Sequence, residues 1–144
     1  MEAVATVGVT DAREVLLVRQ YRHPVGRVIL DLPADRLEPG EEPLSGARRE
    51  FEEETGYHPK RFVPLGYYNQ FPGSLRAGTH LFYAAELEPS HQNLDEGEQL
   101  EIVPTAVPEV MELIRSGSLI DRSLQLEVLL AMLKGYLPIE LINE

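Results

Sequence analysis

The spacing of apolar positions changes along the chain, and the changes mark its elements. Ala3 to Val9 is rich in Val and Thr and reads as a strand. Thr10 to Arg13 reads as a turn. The β-branched run Val15 to Val18 then predicts the partner strand of a hairpin. Val28 to Pro33 is the next expected strand, and Ala34 to Gly40 a loop. From there the period becomes helical: Leu44, Ala47 and Phe51 recur on one face. Pro43 suits the first turn, where its missing N–H is not needed, and Gly56 suits the stop. Arg61 to Asn69 and Thr79 to Leu87 predict two more strands, joined by a loop with Pro72-Gly73 as its turn. Leu100 to Val103 predicts a short strand, and Pro108 to Arg115 a helix closed by Ser116-Gly117. Asp121 is placed to cap a last helix running to about Lys134, with Leu124, Val128, Leu129, Ala131 and Met132 as core.

Composition narrows the class. At 144 residues the chain is one domain, residues 1–144, large enough for a real core. Hydrophobic content of 43% with 26% charged residues fits a globular protein rather than a disordered one. A net charge of -11 argues against nucleic-acid binding, since nothing offsets phosphate repulsion. A phosphate substrate is compatible only if metal ions screen the site. The absence of cysteine excludes disulfides, a thiol nucleophile and a thiolate metal site. No apolar run approaches a membrane span, and the first residues lack the basic start and apolar centre of a signal peptide. A cytoplasmic protein without membrane contact is expected.

The chemistry concentrates between Asp31 and Tyr57. Glu50, Glu53 and Glu54 are spaced i, i+3 and i+4, so they share one helix face away from the apolar one. Three carboxylates on one face repel each other. Arg49 reaches Glu53 at i+4, but one arginine does not neutralise three acids. Hard divalent cations such as magnesium prefer carboxylate oxygens and keep water and substrate phosphates as further ligands. An acidic helix run by itself is usually a solvated face. The longer pattern decides: Glu41, seven residues, Arg49-Glu50-Phe51, one residue, Glu53-Glu54, one residue, Gly56-Tyr57. This resembles the signature of the Nudix hydrolases. Tyr57 stands where an aliphatic residue is usual, and its ring can still be buried. Asp35 stands at the glycine that opens the family signature. Glycine is used where the backbone needs positive φ or close approach, and Asp is among the better substitutes there. Three outcomes are open for Asp35: an extra metal ligand, a solvent-facing side chain, or an impaired site. The solvent-facing one is expected.

The resemblance implies an α/β fold of Nudix type, an α/β/α sandwich with a mixed β-sheet. It implies Glu50, Glu53 and Glu54 as side-chain ligands of Mg2+, with Mn2+ as a substitute, and Ala34 as a ligand through its carbonyl. Arg49, paired with Glu41, would orient the acids. The segment Val18-Arg19-Gln20-Tyr21-Arg22 and the phrase Leu32-Pro33-Ala34…Glu38-Pro39-Gly40-Glu41 resemble the ADP-ribose pyrophosphatase branch. That implies substrate roles for Arg22 and Asp31. Pro72, sixteen residues beyond Gly56, is a further hint of that branch, with Phe71 beside it as a stacking face. In the acidic stretch Leu94 to Glu101, Glu98 best matches the glutamate that assists attack by water, with Glu96 next. The expected reaction is hydrolysis of ADP-ribose to AMP and ribose 5-phosphate by a homodimer. Relatives often carry an extra N-terminal β-rich segment exchanged between subunits. This chain starts almost directly at the catalytic domain, so the adenine end is expected to be gripped differently or less tightly. The alternatives are a Nudix enzyme for another nucleotide, or a nucleotide-binding Nudix domain without turnover.

Overall fold

The computed structural model describes residues 1–119 and 121–138. In chain order these residues form β1 (Glu2–Gly8), β2 (Glu14–Arg22), β3 (Arg27–Asp31), β4 (Ala34–Arg36), α1 (Pro43–Thr55), β5 (Tyr57–Asn69), β6 (Gly78–Pro89), β7 (Glu101–Ala106), α2 (Val107–Arg115) and α3 (Arg122–Leu133). A single turn of 3-10 helix, His23–Val25, links β2 to β3. One sheet is mixed and runs β4-β1-β6-β5, with β1 and β6 parallel and the other pairs antiparallel. The other is antiparallel and runs β3-β2-β7. Among the described residues no helix is long and apolar enough to cross a membrane.

Side-chain alternation along β1 sets the layers. Successive strand residues point to opposite faces. Val4 packs with Ala47 of α1 and Phe82. Ala5 and Val7, on the other face, pack with Leu124 and Val128 of α3. The helices therefore cover opposite faces of the mixed sheet, as the α/β/α reading expects. The second sheet joins the same core through Val15 and Leu17, and its Leu16 meets Phe51 of α1.

Helix α1 is well defined by local chemistry. Pro43 opens it, and the Glu42 carboxylate caps it by accepting the N–H groups of Leu44 (3.1 Å) and Ser45 (2.9 Å). Gly56 closes it in the left-handed region at φ 75°, donating its N–H to the Glu52 carbonyl. Phe51, 1% exposed, lies so close to β1 that a Cβ at Gly8 would fall 2.5 Å from its ring. That contact fixes how deep the helix sits. Tyr57 is half-buried against the same cluster, so the departure from an aliphatic residue is tolerated.

Several expectations are corrected. β1 and β2 are not a hairpin: apart from one bridge, Val9 to Val15, they belong to different sheets. Both are central strands with two neighbours each, which is why both read as continuous apolar runs. The expected loop from Ala34 contains β4, which pairs with β1 over Ala3–Ala5. Arg22 ends β2 rather than following it. Leu129 is 44% exposed on the outer side of α3, while Glu127 is buried in the core.

Candidate active site

Helix α1 and strand β4 bring three carboxylates to one point. One oxygen each of Asp35, Glu50 and Glu54 lies within 4.8 Å of the others. Glu54 is only 5% exposed and accepts the Ala34 N–H at 3.2 Å, so the end of α1 is stitched to the start of β4. Arg49 occupies the flank. It holds Glu41 at 2.8 Å, Glu50 at 2.6 Å and Glu53 at 3.0 Å. Glu41 also accepts the Glu38 N–H at 3.0 Å, which ties the loop before α1 to this network. Glu53 thus faces Arg49 and is not among the three converging acids.

The charges are strained without a counterion. Burial is the main cause that pushes Glu54 up to about 9, followed by the charges of Glu98, Glu50 and Asp35. Burial and then the Asp35 charge push Glu50 up to about 7, against the pull of Arg49. Glu98, from the 94–101 stretch, lies near enough for its charge to act on Glu54. Its carboxylate accepts the Asp95 N–H at 3.1 Å.

The root of that acidic loop is fastened to the end of α1. Ser90 donates its N–H to the Gly56 carbonyl at 2.7 Å, and Asn93 its N–H to the Glu53 carbonyl at 2.7 Å. The Gln92 amide donates to the Glu54 carbonyl at 2.8 Å, and the Ser90 hydroxyl to the Glu52 carboxylate at 2.6 Å. The first three of these bonds satisfy carbonyls that a helix end leaves open. A cleft of about 530 Å³ runs along this flank, lined by Arg48, Arg49, Glu53, His58 and His91 among others. It offers positive groups on a strongly acidic protein.

The remaining predicted residues lie elsewhere. Arg22 and Asp31 face each other at 3.8 Å. Asp31 is 6% exposed and is pushed up to about 7, first by burial and then by the charge of Asp121. Asp121 caps α3 through the Leu124 N–H at 2.9 Å. Phe71 and Pro72 lie in the exposed loop between β5 and β6, Phe71 being 50% exposed. Sequence reasoning left Asp35 open between a metal ligand, a solvent-facing side chain and an impaired site, favouring the second, and did not anticipate the buried Glu127. For Asp35 the available signal was its adjacency to Ala34. For Glu127 there was none beyond its place among apolar residues on α3.

The donor set suits a hard divalent cation. All three converging groups are carboxylate oxygens, Arg49 pairs directly with only one of them, and the chain has no cysteine to offer a thiolate. A mixed α/β sandwich that gathers glutamates of α1 at one point is the arrangement that the Nudix resemblance implies. The fold is similar to a solved structure described as an ADP compounds hydrolase, with TM-score 0.83 and 23% identity over 94% of this chain and 75% of that one. The chain belongs to the Nudix family: the model for the NUDIX domain matches residues 1–121. It is similar to the ADP-ribose pyrophosphatase of Bacillus subtilis (strain 168), with 37% identity over 121 residues, covering 83% of this chain and 65% of that protein. It is similar also to the methanol dehydrogenase activator of Bacillus methanolicus, with 33% identity over the same 83% and 65%. The chain therefore spans just under two thirds of the length of these curated relatives.

Proposed function

We propose that this chain hydrolyses the pyrophosphate bond of a nucleoside diphosphate sugar, with ADP-ribose giving AMP and ribose 5-phosphate. The observation that carries the reading is the convergence of α1 glutamates with an adjacent strand carboxylate, and the charge of Glu98 acts on one of them. The similarity to an ADP-ribose pyrophosphatase supports the substrate. Glu50 and Glu54 would hold Mg2+, or Mn2+ in its place, with Glu53 on the same face and the Ala34 carbonyl as a further oxygen donor. When bound, the cation neutralises the pyrophosphate and lowers the pKa of a coordinated water. Arg49, locked between Glu41, Glu50 and Glu53, keeps the acids aligned. Glu98 accepts the proton of the attacking water. The water oxygen bonds to one phosphorus while the bridging P–O bond breaks, its electron pair leaving with the other phosphate. Arg22, with Asp31, meets the phosphate or ribose, and Phe71 and Pro72 the nucleoside end. The protein works as a cytoplasmic homodimer.

Turnover with Mg2+ tests this. ADP-ribose is set beside nucleotide sugars, dinucleoside polyphosphates and nucleoside triphosphates, with Glu54→Gln as control. The expected result is AMP release from ADP-ribose, abolished in the variant. Turnover of another panel member refutes the substrate, and nucleotide binding without turnover of any refutes the enzyme. Light scattering checks the dimer.

A further inference from the structure

The residue at position 35 does not use the freedom that glycine would give. Asp35 is the middle residue of β4, opposite Val4 of β1, and its φ is not positive. An aspartate is therefore accommodated without backbone strain. Directly opposed residues of an antiparallel pair point to the same face. Val4 packs on Ala47 of α1, so Asp35 projects from the α1 side of the sheet. There its carboxylate meets Glu50 and Glu54 within 4.8 Å. Its Oδ1 accepts the Arg36 N–H at 2.6 Å, which fixes the side chain in that direction. Arg36, the cation next in sequence, is on the opposite pleat and exposed. The expected solvent-facing aspartate is thus not what the fold builds.

We propose that Asp35 is an additional carboxylate ligand of the divalent cation held by Glu50 and Glu54. The inference rests on the cation site of the proposed function. Three side-chain carboxylates from two elements then define the site, two from the helix and one from the strand. Ligand charge count is a main determinant of affinity for hard divalent cations. The substitution for glycine makes the site tighter rather than impaired.

The test reads metal binding on the free protein. Mn2+ affinity is measured by calorimetry and by loss of the free Mn2+ resonance signal for wild type, Asp35→Asn, Glu38→Gln and Glu54→Gln. Glu38 controls for loss of a charge on the same loop. Melting in EDTA checks the fold, and Asp35→Gly substitutes if the amide variant does not fold. The expected result is a loss of affinity of about tenfold or more in Asp35→Asn, little change in Glu38→Gln, and no fall in the metal-free melting temperature. Affinity within twofold of wild type in Asp35→Asn overturns the proposal, as does an equal loss in Glu38→Gln. If Glu54→Gln also leaves affinity unchanged, the cation site itself, and with it the proposed function, is overturned.

Discussion

Glu127 gives the sharpest prediction about the fold. It sits on α3 with no exposed surface. Its Oε1 accepts the N–H of Val7 at 3.1 Å and of Phe82 at 3.2 Å, bridging the parallel strands β1 and β6. Its Oε2 has no hydrogen-bond partner among the described residues. Burial, reinforced by the charges of Asp121 and Asp31, raises this carboxyl well above its ordinary value. The folded state therefore keeps a proton that the unfolded chain gives up. Stability from this group is complete below the unfolded pKa and is lost as pH rises toward the raised folded one. The slope for one proton is about 1.4 kcal/mol per pH unit. Glu127→Gln keeps the acceptor for both N–H groups and removes the titration. Wild type should lose stability relative to this variant as pH rises from 5.5 to 7.5, by at most about 1.4 kcal/mol for each pH unit. Urea unfolding of both proteins in EDTA at those two pH values gives the number. Taking the difference between proteins cancels the titration of Glu50 and Glu54, whose charges are not among those acting on Glu127. Glu127→Leu is the contrast. It leaves two buried N–H groups unpaired and should be destabilised at either pH by about 2–6 kcal/mol, at 1–3 for each group. A wild-type-minus-Gln difference that does not change with pH would refute the argument.

Three further outcomes follow from the contacts around α1. Arg49→Ala should lower kcat about 10–100-fold, as loss of a group that orients ligands does, and Arg49→Lys should restore little, because an ammonium cannot reproduce the fork on Glu41, Glu50 and Glu53; steady-state kinetics of the three proteins decides. Gly8→Ala should cost about 1–3 kcal/mol through overpacking against Phe51, whose ring stands 2.5 Å from the added methyl; a melting temperature equal to wild type would show that α1 lifts freely. Gly46→Ala would ordinarily favour a helix by about 1 kcal/mol. Here the new Cβ falls 2.5 Å from Leu37 and 2.9 Å from the Glu41 carboxyl carbon, so activity should drop without any gain in thermal stability.

Much of this site was readable in advance because its signals are local. Pro43, Gly56 and Asp121 act through backbone groups within a few residues of themselves, and the structure places each in its expected role. The spacing of Glu50 and Glu54 fixes their common face through helix geometry alone. What escaped the sequence depends on distant partners. A run such as Val15 to Val18 states that a strand is buried, not which strand lies beside it, and so β1 and β2 were expected to pair. The three residues of β4 are too few to show alternation, so the sequence did not reveal that Asp35 shares the α1 side of the sheet. On α3, Leu129 and Glu127 exchange the burial their side chains suggest, because two backbone N–H groups at the β1–β6 junction need an acceptor.

The fastening of the acidic loop to α1 has a consequence of a different kind. Its last described tie is the Asn93 N–H on the Glu53 carbonyl, and the chain is held again where β7 begins at Glu101. Glu98 hangs from the second post by three residues, a leash of about 10–11 Å when taut. One residue more or less in that short link would move its carboxylate by about 3.5 Å, farther than a hydrogen bond is long. The count of residues between Glu98 and Glu101 is thus a ruler. An insertion or deletion there would reset the position of the Glu98 carboxylate while the helix that carries Glu50 and Glu54 stays as it is.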